Sequence, residues 1–212
     1  MDELYREKVK IHIVSNGDLI QQKEILLKNM LNKSMDFYFS ISIDETGKCN
    51  YKAVNKLDEM GIKTSIFLYP FTNINNISGK DILFHNGREI ILLFPVSMGN
   101  NNNLEITPNE WIKKLYYWKD FFSNRQVKLY AQTAFKVVEL HFGENKIKHY
   151  DCSEGKFMDC NGDLFDCCLL AESYYCSSQI YFCNPDACPI LRNYRRHGYR
   201  TTCPFNLVFL NS

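Results

Sequence analysis

From Val9 to Tyr130 the apolar residues follow two alternating rhythms, one of period two and one of period near 3.6. Val9-Lys10-Ile11-His12-Ile13-Val14-Ser15 sets branched residues at every second place, the mark of a strand. Asn16-Gly17-Asp18 reads as a turn, with Asp18 placed to cap a helix running to Leu31. Phe37 to Ile43 is a second strand. Tyr51 to Met60 is helical, with Val54 and Leu57 one turn apart and Gly61 as its stop. Ile62–Tyr69 and Glu89–Phe94 read as third and fourth strands. Thr107-Pro108-Asn109-Glu110 opens a helix to Phe122: a capping threonine, proline at the first position and an acid three residues on. Trp111, Leu115 and Trp118 repeat at helical spacing and are core residues of that helix. Val127 to Tyr130 is a short fifth strand.

Strands alternating with helices imply a parallel sheet, open or curved into part of a barrel. The Asn-rich runs Asn73–Ser78 and Asn100–Asn103 read as solvated loops. From Glu139 onward helical periodicity fades and turn residues and cysteines take over. A boundary near residue 145 gives residues 1–145 to the α/β part and residues 146–212 to a loop-rich segment. A segment with so little core of its own needs a staple, and metal is the one on offer.

Composition adds little for the first part. The chain has 212 residues, 45% hydrophobic and 23% charged, with net charge +1. That balance supports a globular core and calls for neither nucleic acid nor a membrane surface as partner. No apolar run is long enough to span a bilayer, and the charged start Met1–Lys8 is unlike a signal peptide. The expected compartment is the reducing cytoplasm, where clustered cysteines are metal ligands more often than disulfides.

The cysteines change the picture. Of nine, only Cys49 precedes residue 152; the rest are Cys152, Cys160, Cys167, Cys168, Cys176, Cys183, Cys188 and Cys203. Asp159 to Phe165 reads as a hairpin around Asn161-Gly162, which returns the chain so that Cys152 and Cys167 can meet. Four thiolates hold one iron–sulfur cluster, so eight suffice for two. Structural zinc is the competing reading, although its usual close Cys-x-x-Cys pair is missing and Cys183-x4-Cys188 comes nearest. A disulfide framework and merely packed free thiols are the remaining alternatives. Cys49 reads as a lone loop thiol.

The pattern Cys152-x9-Gly162-x4-Cys167, with a last cysteine at Cys203, resembles the SPASM domain, the C-terminal auxiliary-cluster module of many radical S-adenosylmethionine enzymes. The family then continues with a Cys-x2-Cys pair, whereas this chain has Cys176-x6-Cys183-x4-Cys188, leaving the number of clusters and their ligand sets open. The front part resembles the same family. Ile11–Gly17 is similar to its strand ending in Thr/Ser-Asn-Gly, and Phe39–Asp44 to its next strand ending Ser-x-Asp. Glu59–Ile66 resembles the helix stop and strand that follow, and Phe94–Gly99 with Leu104–Trp111 the last barrel strand and its helix.

The resemblance implies a partial parallel (βα) barrel followed by a small Cys-rich iron–sulfur module holding one or two auxiliary [4Fe–4S] clusters. Metal ligands are expected among the eight tail cysteines, with Ser42 and Asn16 as cofactor-contacting candidates at strand ends. For Ser40, Ser42 and Asp44 a solvated strand face or an Asp44 cap competes, and for Asn16 a plain turn. The catalytic motif Cys-x3-Cys-x2-Cys is nowhere in the sequence. The chain also starts at what looks like the third barrel strand, so S-adenosylmethionine is expected only if the missing N-terminal part is supplied. A shortened copy, one half of a split protein and a degenerate protein with a new role all fit. Implied partners are a peptide or protein substrate and a separately encoded N-terminal half. The acid that follows the aligned cysteine in the sulfatase-maturing branch is replaced by Cys168. Arg192, Arg195, Arg196, His197 and Arg200 form a basic stretch that suits a solvated helix, an acidic peptide or the negative charge of a cluster.

Overall fold

A computed structural model describes residues 10–33, 35–94, 106–143, 146–148, 157–158, 164–165 and 206–211. The strands in chain order are β1 (Ile11–Ser15), β2 (Phe37–Ile43), β3 (Thr64–Leu68), β4 (Glu89–Leu92), β5 (Lys128–Gln132), β6 (Ile147–Lys148), β7 (Phe157–Met158), β8 (Leu164–Phe165) and β9 (Leu207–Phe209). The helices are α1 (Glu24–Asn32), α2 (Tyr51–Glu59), α3 (Lys80–Leu83), α4 (Pro108–Phe121) and α5 (Lys136–Phe142). Strands β1 to β6 and β9 form one open, mostly parallel sheet in the order β1-β2-β3-β4-β5-β9-β6, and β7 and β8 form a separate pair.

The chain divides into two compact units. The first comprises residues 1–93 with Lys114–Tyr130 and Asn211, the second Phe94–Lys113 with Ala131–Leu210 and Ser212.

In the first unit β1, β2, β3 and β4 run parallel, paired as Ile13 with Phe39, Ile41 with Ile66 and Ile66 with Ile90. The starts of β4 and β5 are joined by Gly87 N–H to Gln126 C=O at 2.7 Å and Lys128 N–H to Arg88 C=O at 2.8 Å. Strand order thus follows chain order without reversal. Right-handed crossovers then return each helix to the same side of the sheet, unlike a doubly wound sheet, whose order reverses and whose helices cover both faces. Burial follows that rule. Ile41, Ile43, Ile66, Leu68, Ile90, Leu92 and Leu129 share one face and are fully buried. The opposite face presents Tyr38, Ser42, Phe67, Glu89, Ile91 and Tyr130, each half-buried.

Local chemistry fixes the ends of the helices. Asn50 caps α2 by accepting from Ala53 N–H at 3.0 Å. Its other end is a Schellman stop, with Gly61 N–H on Asp58 C=O and Ile62 N–H on Leu57 C=O, both at 2.9 Å. Gly61 sits at φ +70°, the left-handed conformation that suits glycine. Buried Arg88 ties β4 to α2, donating through two nitrogens to Asp58 and through Nη1 to Thr64 C=O at 2.9 Å. Trp118 is fully buried and donates to Pro70 C=O at 2.9 Å.

In the second unit the expected capping box forms. Thr107 N–H donates to Glu110 Oε2 at 2.8 Å, and Glu110 N–H to Thr107 Oγ1 at 3.3 Å. Phe94 packs edge-on against Trp111 and Phe135, while Gln132 accepts from Phe94 N–H through its side chain and from Trp111 Nε1 through its carbonyl. Asn206 C=O accepts from Thr133 N–H at 2.9 Å, and β9 pairs antiparallel with β6.

Helix α5 and strands β6 and β9 depart from the sequence expectation, which let helical order fade from Glu139 and assigned no strand to 206–211. Helix α1 also begins later than expected. A 3₁₀ turn, Gln21–Lys23, precedes it, and Asp18 is held in the turn by Asn16 instead of capping a helix. Hairpin β7–β8 agrees with expectation: Phe157 pairs with Phe165 and Met158 with Leu164, straddling Asn161-Gly162. The 145 boundary, the Asn100–Asn103 run, the basic stretch and the eight tail cysteines lie outside the described residues. No described helix is long and apolar enough to cross a membrane.

Candidate functional site

The half-buried face of the first unit carries a row of polar groups across adjacent strands. His12 on β1 reaches Ser40 on β2, Nε2 to Oγ, at 2.6 Å, and Ser40 Oγ reaches Ser65 Oγ on β3 at 2.6 Å. Ser65 Oγ also lies 3.4 Å from Phe39 C=O, which accepts from it. The register explains the meeting. Ser40 pairs with Ser65, and His12 is two residues before Val14, the partner of Ser40, so all three side chains point to one face.

The His12 imidazole is stacked on Tyr38, ring centroids 4.2 Å apart, and meets Phe67 edge-on at 5.9 Å. The residue is exposed on the edge strand, but these neighbours strip water from part of its ring, and that desolvation holds its pKa below the ordinary histidine value. With its proton on Nδ1, neutral His12 accepts at Nε2 from Ser40. Protonated His12 donates there instead, and the hydroxyls of Ser40 and Ser65 turn to pass the bond to Phe39 C=O. The chain of groups can therefore hold a proton at either sense of polarity without leaving a buried hydroxyl unpaired.

Glu89 adds charge to the same face. It pairs with Lys63 at 3.5 Å, and Lys63 Nζ lies 6.0 Å above the Tyr38 ring. Burial first, and then the Glu89 carboxylate, push the Tyr38 and Tyr130 hydroxyls up from their ordinary value. Both tyrosines therefore stay protonated donors at neutral pH.

The carboxyl ends of the strands form a well-tied rim. Gly17, at φ +85°, turns the chain after β1; a Cβ there would meet Ala53 Cβ at 3.1 Å. Asn50 Nδ2 donates to Gly17 C=O at 3.4 Å. Asp44 Oδ1 accepts from Thr46 N–H, Thr46 Oγ1 and Lys48 N–H within 3.0 Å. Desolvation opposes its ionisation, yet these bonds prevail and its pKa is lowered. Thr72 Oγ1 closes the rim by donating to Asp44 C=O at 2.7 Å.

Of the sequence candidates, Ser42 and Asn16 both lie at this rim, and no hydrogen bond links them among the described residues. Ser42 is half-buried on the polar face, in register with Phe67. Asn16 is exposed, and its side chain accepts from Asp18 N–H at 3.1 Å, the plain-turn arrangement. Asp44 caps its own loop, whereas Asn50 caps α2. Cys49 is a free, half-buried thiol; burial, then Asp44 and Asp18, push its pKa up to about 12.

His12, Ser65 and Glu89 are additions that the sequence reading missed. Their signal was the even spacing of a polar side chain in each successive strand, readable only once the register is known. Among the described residues no three His, Cys, Asp or Glu side chains gather as a metal site. No family model, no curated protein and no solved structure matches the chain.

Proposed function

We propose that this chain is an iron–sulfur protein of the radical S-adenosylmethionine and SPASM type. In this reading thiolates from among Cys152, Cys160, Cys167, Cys168, Cys176, Cys183, Cys188 and Cys203 hold one or two [4Fe–4S] clusters. The observation that carries it is hairpin β7–β8, whose pairs fall between Cys152 and Cys167 and return the chain there. The donor set fits the group: eight thiols in a short span, without the Cys-x-x-Cys pair that a zinc site favours. When bound, such a cluster supplies one-electron transfer or a Lewis-acidic iron for substrate.

The unreversed order β1 to β5, with a polar face opposite the buried one, supports reading this sheet as a partial (βα) barrel. That polar face would be the barrel interior. There Ser42 and the rim at the strand ends orient a bound molecule, Tyr38 and Tyr130 donate hydrogen bonds, and His12 accepts or returns a proton through Ser40. The parent activity we assign is modification of a peptide or protein in the cytoplasm. The 212 residues contain no Cys-x3-Cys-x2-Cys, so this chain by itself does not cleave S-adenosylmethionine. A separately encoded half carrying that motif would supply the cleavage.

The test is iron, sulfide and zinc analysis of protein purified without oxygen. The reading expects about four iron and four sulfide per cluster. One zinc and no sulfide would replace it with a structural metal module. A companion assay, 5′-deoxyadenosine release under strong reductant, is expected to stay at the protein-free background.

A further inference from the structure

We propose that β1 and the outer side of α1 form a contact between two copies of this chain, the two β1 strands pairing antiparallel about Ile13. The inference is independent of the cluster assignment, but it competes with completion of the barrel: a separately encoded half that added strands beside β1 would occupy the same edge.

Strand β1 ends the sheet, and among the described residues no strand pairs with its outer edge. Edge strands are normally guarded by proline, lysine or a bulge. Ile-His-Ile-Val-Ser has none of these, and Val14 is half exposed. Helix α1 shows the same incompleteness. Its sequence, Glu-Ile-Leu-Leu-Lys-Asn-Met-Leu-Asn, gathers Glu24, Lys28 and Asn32 on one side and carries apolar residues beyond the stripe that Leu27 and Met30 bury. Leu27 and Met30 are buried, but Ile25 is 78% exposed and Leu26 48%. Five of the eight exposed large hydrophobic residues among those described fall between Val14 and Leu31.

Backbone geometry permits a second copy on this edge, and charge favours it. Ile11 N–H donates to Asp36 C=O, so the backbone groups of Ile11, Ile13 and Ser15 face β2. Those of His12 and Val14 face outward. With a two-fold axis at Ile13, His12 of one copy lies opposite Val14 of the other, and each exchanges both backbone bonds with its opposite. Every outward group of the strand is satisfied by this one register. Charge agrees: Lys10 falls opposite Asn16 of the second copy, beside its Asp18, and no like charges are brought together along the strand. A two-fold axis normal to the sheet also keeps both α1 helices on one side, where Ile25 and Leu26 can meet their counterparts.

Sedimentation velocity of the full chain over a wide concentration range tests this. The expected species is twice the 24.9 kDa chain mass. Ile25→Glu, on the exposed side of α1, is expected to weaken self-association at least about tenfold. Val14→Pro removes an outward N–H without touching the β2 ladder, and is expected to do the same with unchanged circular dichroism. Leu140→Glu, at another exposed apolar position, leaves the dimer intact. A chain that is monomeric at all concentrations overturns the proposal. So does a dimer that survives Ile25→Glu, or one that forms only with a different protein. Should Val14→Pro unfold the chain, Ile25→Glu alone decides.

Discussion

Removing the Asp58 carboxylate tests how the sheet is pinned to its helices. Arg88 is 3% exposed and holds Asp58 through two nitrogens and Thr64 C=O through one. Asp58→Ala leaves a guanidinium that cannot lose its charge inside the protein without its counter-ion. Breaking a fully buried pair this way costs about 3–5 kcal/mol. The Asp58 side chain is 32% exposed; water enters part of the vacated space, and the expected cost falls to about 2–3 kcal/mol. Arg88→Met strands the neutral Thr64 and Ile82 carbonyls and lets Asp58 turn to solvent, at about 1–2 kcal/mol. The double variant should be no less stable than Asp58→Ala alone, because the second change removes the stranded charge. Urea melts followed by far-ultraviolet circular dichroism read this out. With a slope of about 2 kcal/mol per molar, Asp58→Ala lowers the midpoint by about 1–1.5 M. An unchanged midpoint for Asp58→Ala, or additive losses in the double variant, would refute the reasoning.

Further outcomes follow from other groups. His12 has a depressed pKa in the folded chain, so the unfolded chain binds more protons as pH falls through the ordinary histidine range. Its contribution is complete above the unfolded pKa and is lost below it; His12→Asn should flatten the decline in stability between about pH 7 and pH 5. Equal slopes in variant and wild type would contradict the desolvation of that ring. Asn50→Ala removes the α2 cap and should cost about 1 kcal/mol in the same melts, with Asn50→Asp restoring most of it. At pH 8 Cys49, its pKa near 12, should react with iodoacetamide at least about tenfold slower than free glutathione. Peptide mapping that finds Cys49 labelled as fast as glutathione rejects that value.

How far the sequence was legible depended on whether each signal was local. Strands β2 to β5 carry branched and aromatic runs, and α2 and α4 carry their own punctuation in Asn50, Gly61 and the Thr107–Glu110 pair. Helix α5 lacks such a mark. It follows Ala134 at φ +53° and its cap residue, Phe135, makes no side-chain bond. Strand β9 is three residues long and belongs beside a strand ended by Gln132. Nothing in Leu-Val-Phe announces a neighbour so distant in the chain. The polar row was illegible for a related reason: His12, Ser40, Ser65 and Glu89 each look like a solvated strand position, and only the parallel register brings them to one face. Asp18, by contrast, misled because Asn16 competes for it within the turn.

The central claim is that sulfur from the tail cysteines binds iron as a cubane cluster. Mössbauer spectroscopy of chain produced with ⁵⁷Fe and kept free of oxygen reads that directly. The account predicts the quadrupole doublet of a diamagnetic [4Fe–4S]²⁺ centre, lost for a single cluster and reduced for two when Cys152 and Cys167 are replaced by alanine. A spectrum without that doublet, from folded protein supplied with iron and sulfide, would contradict it.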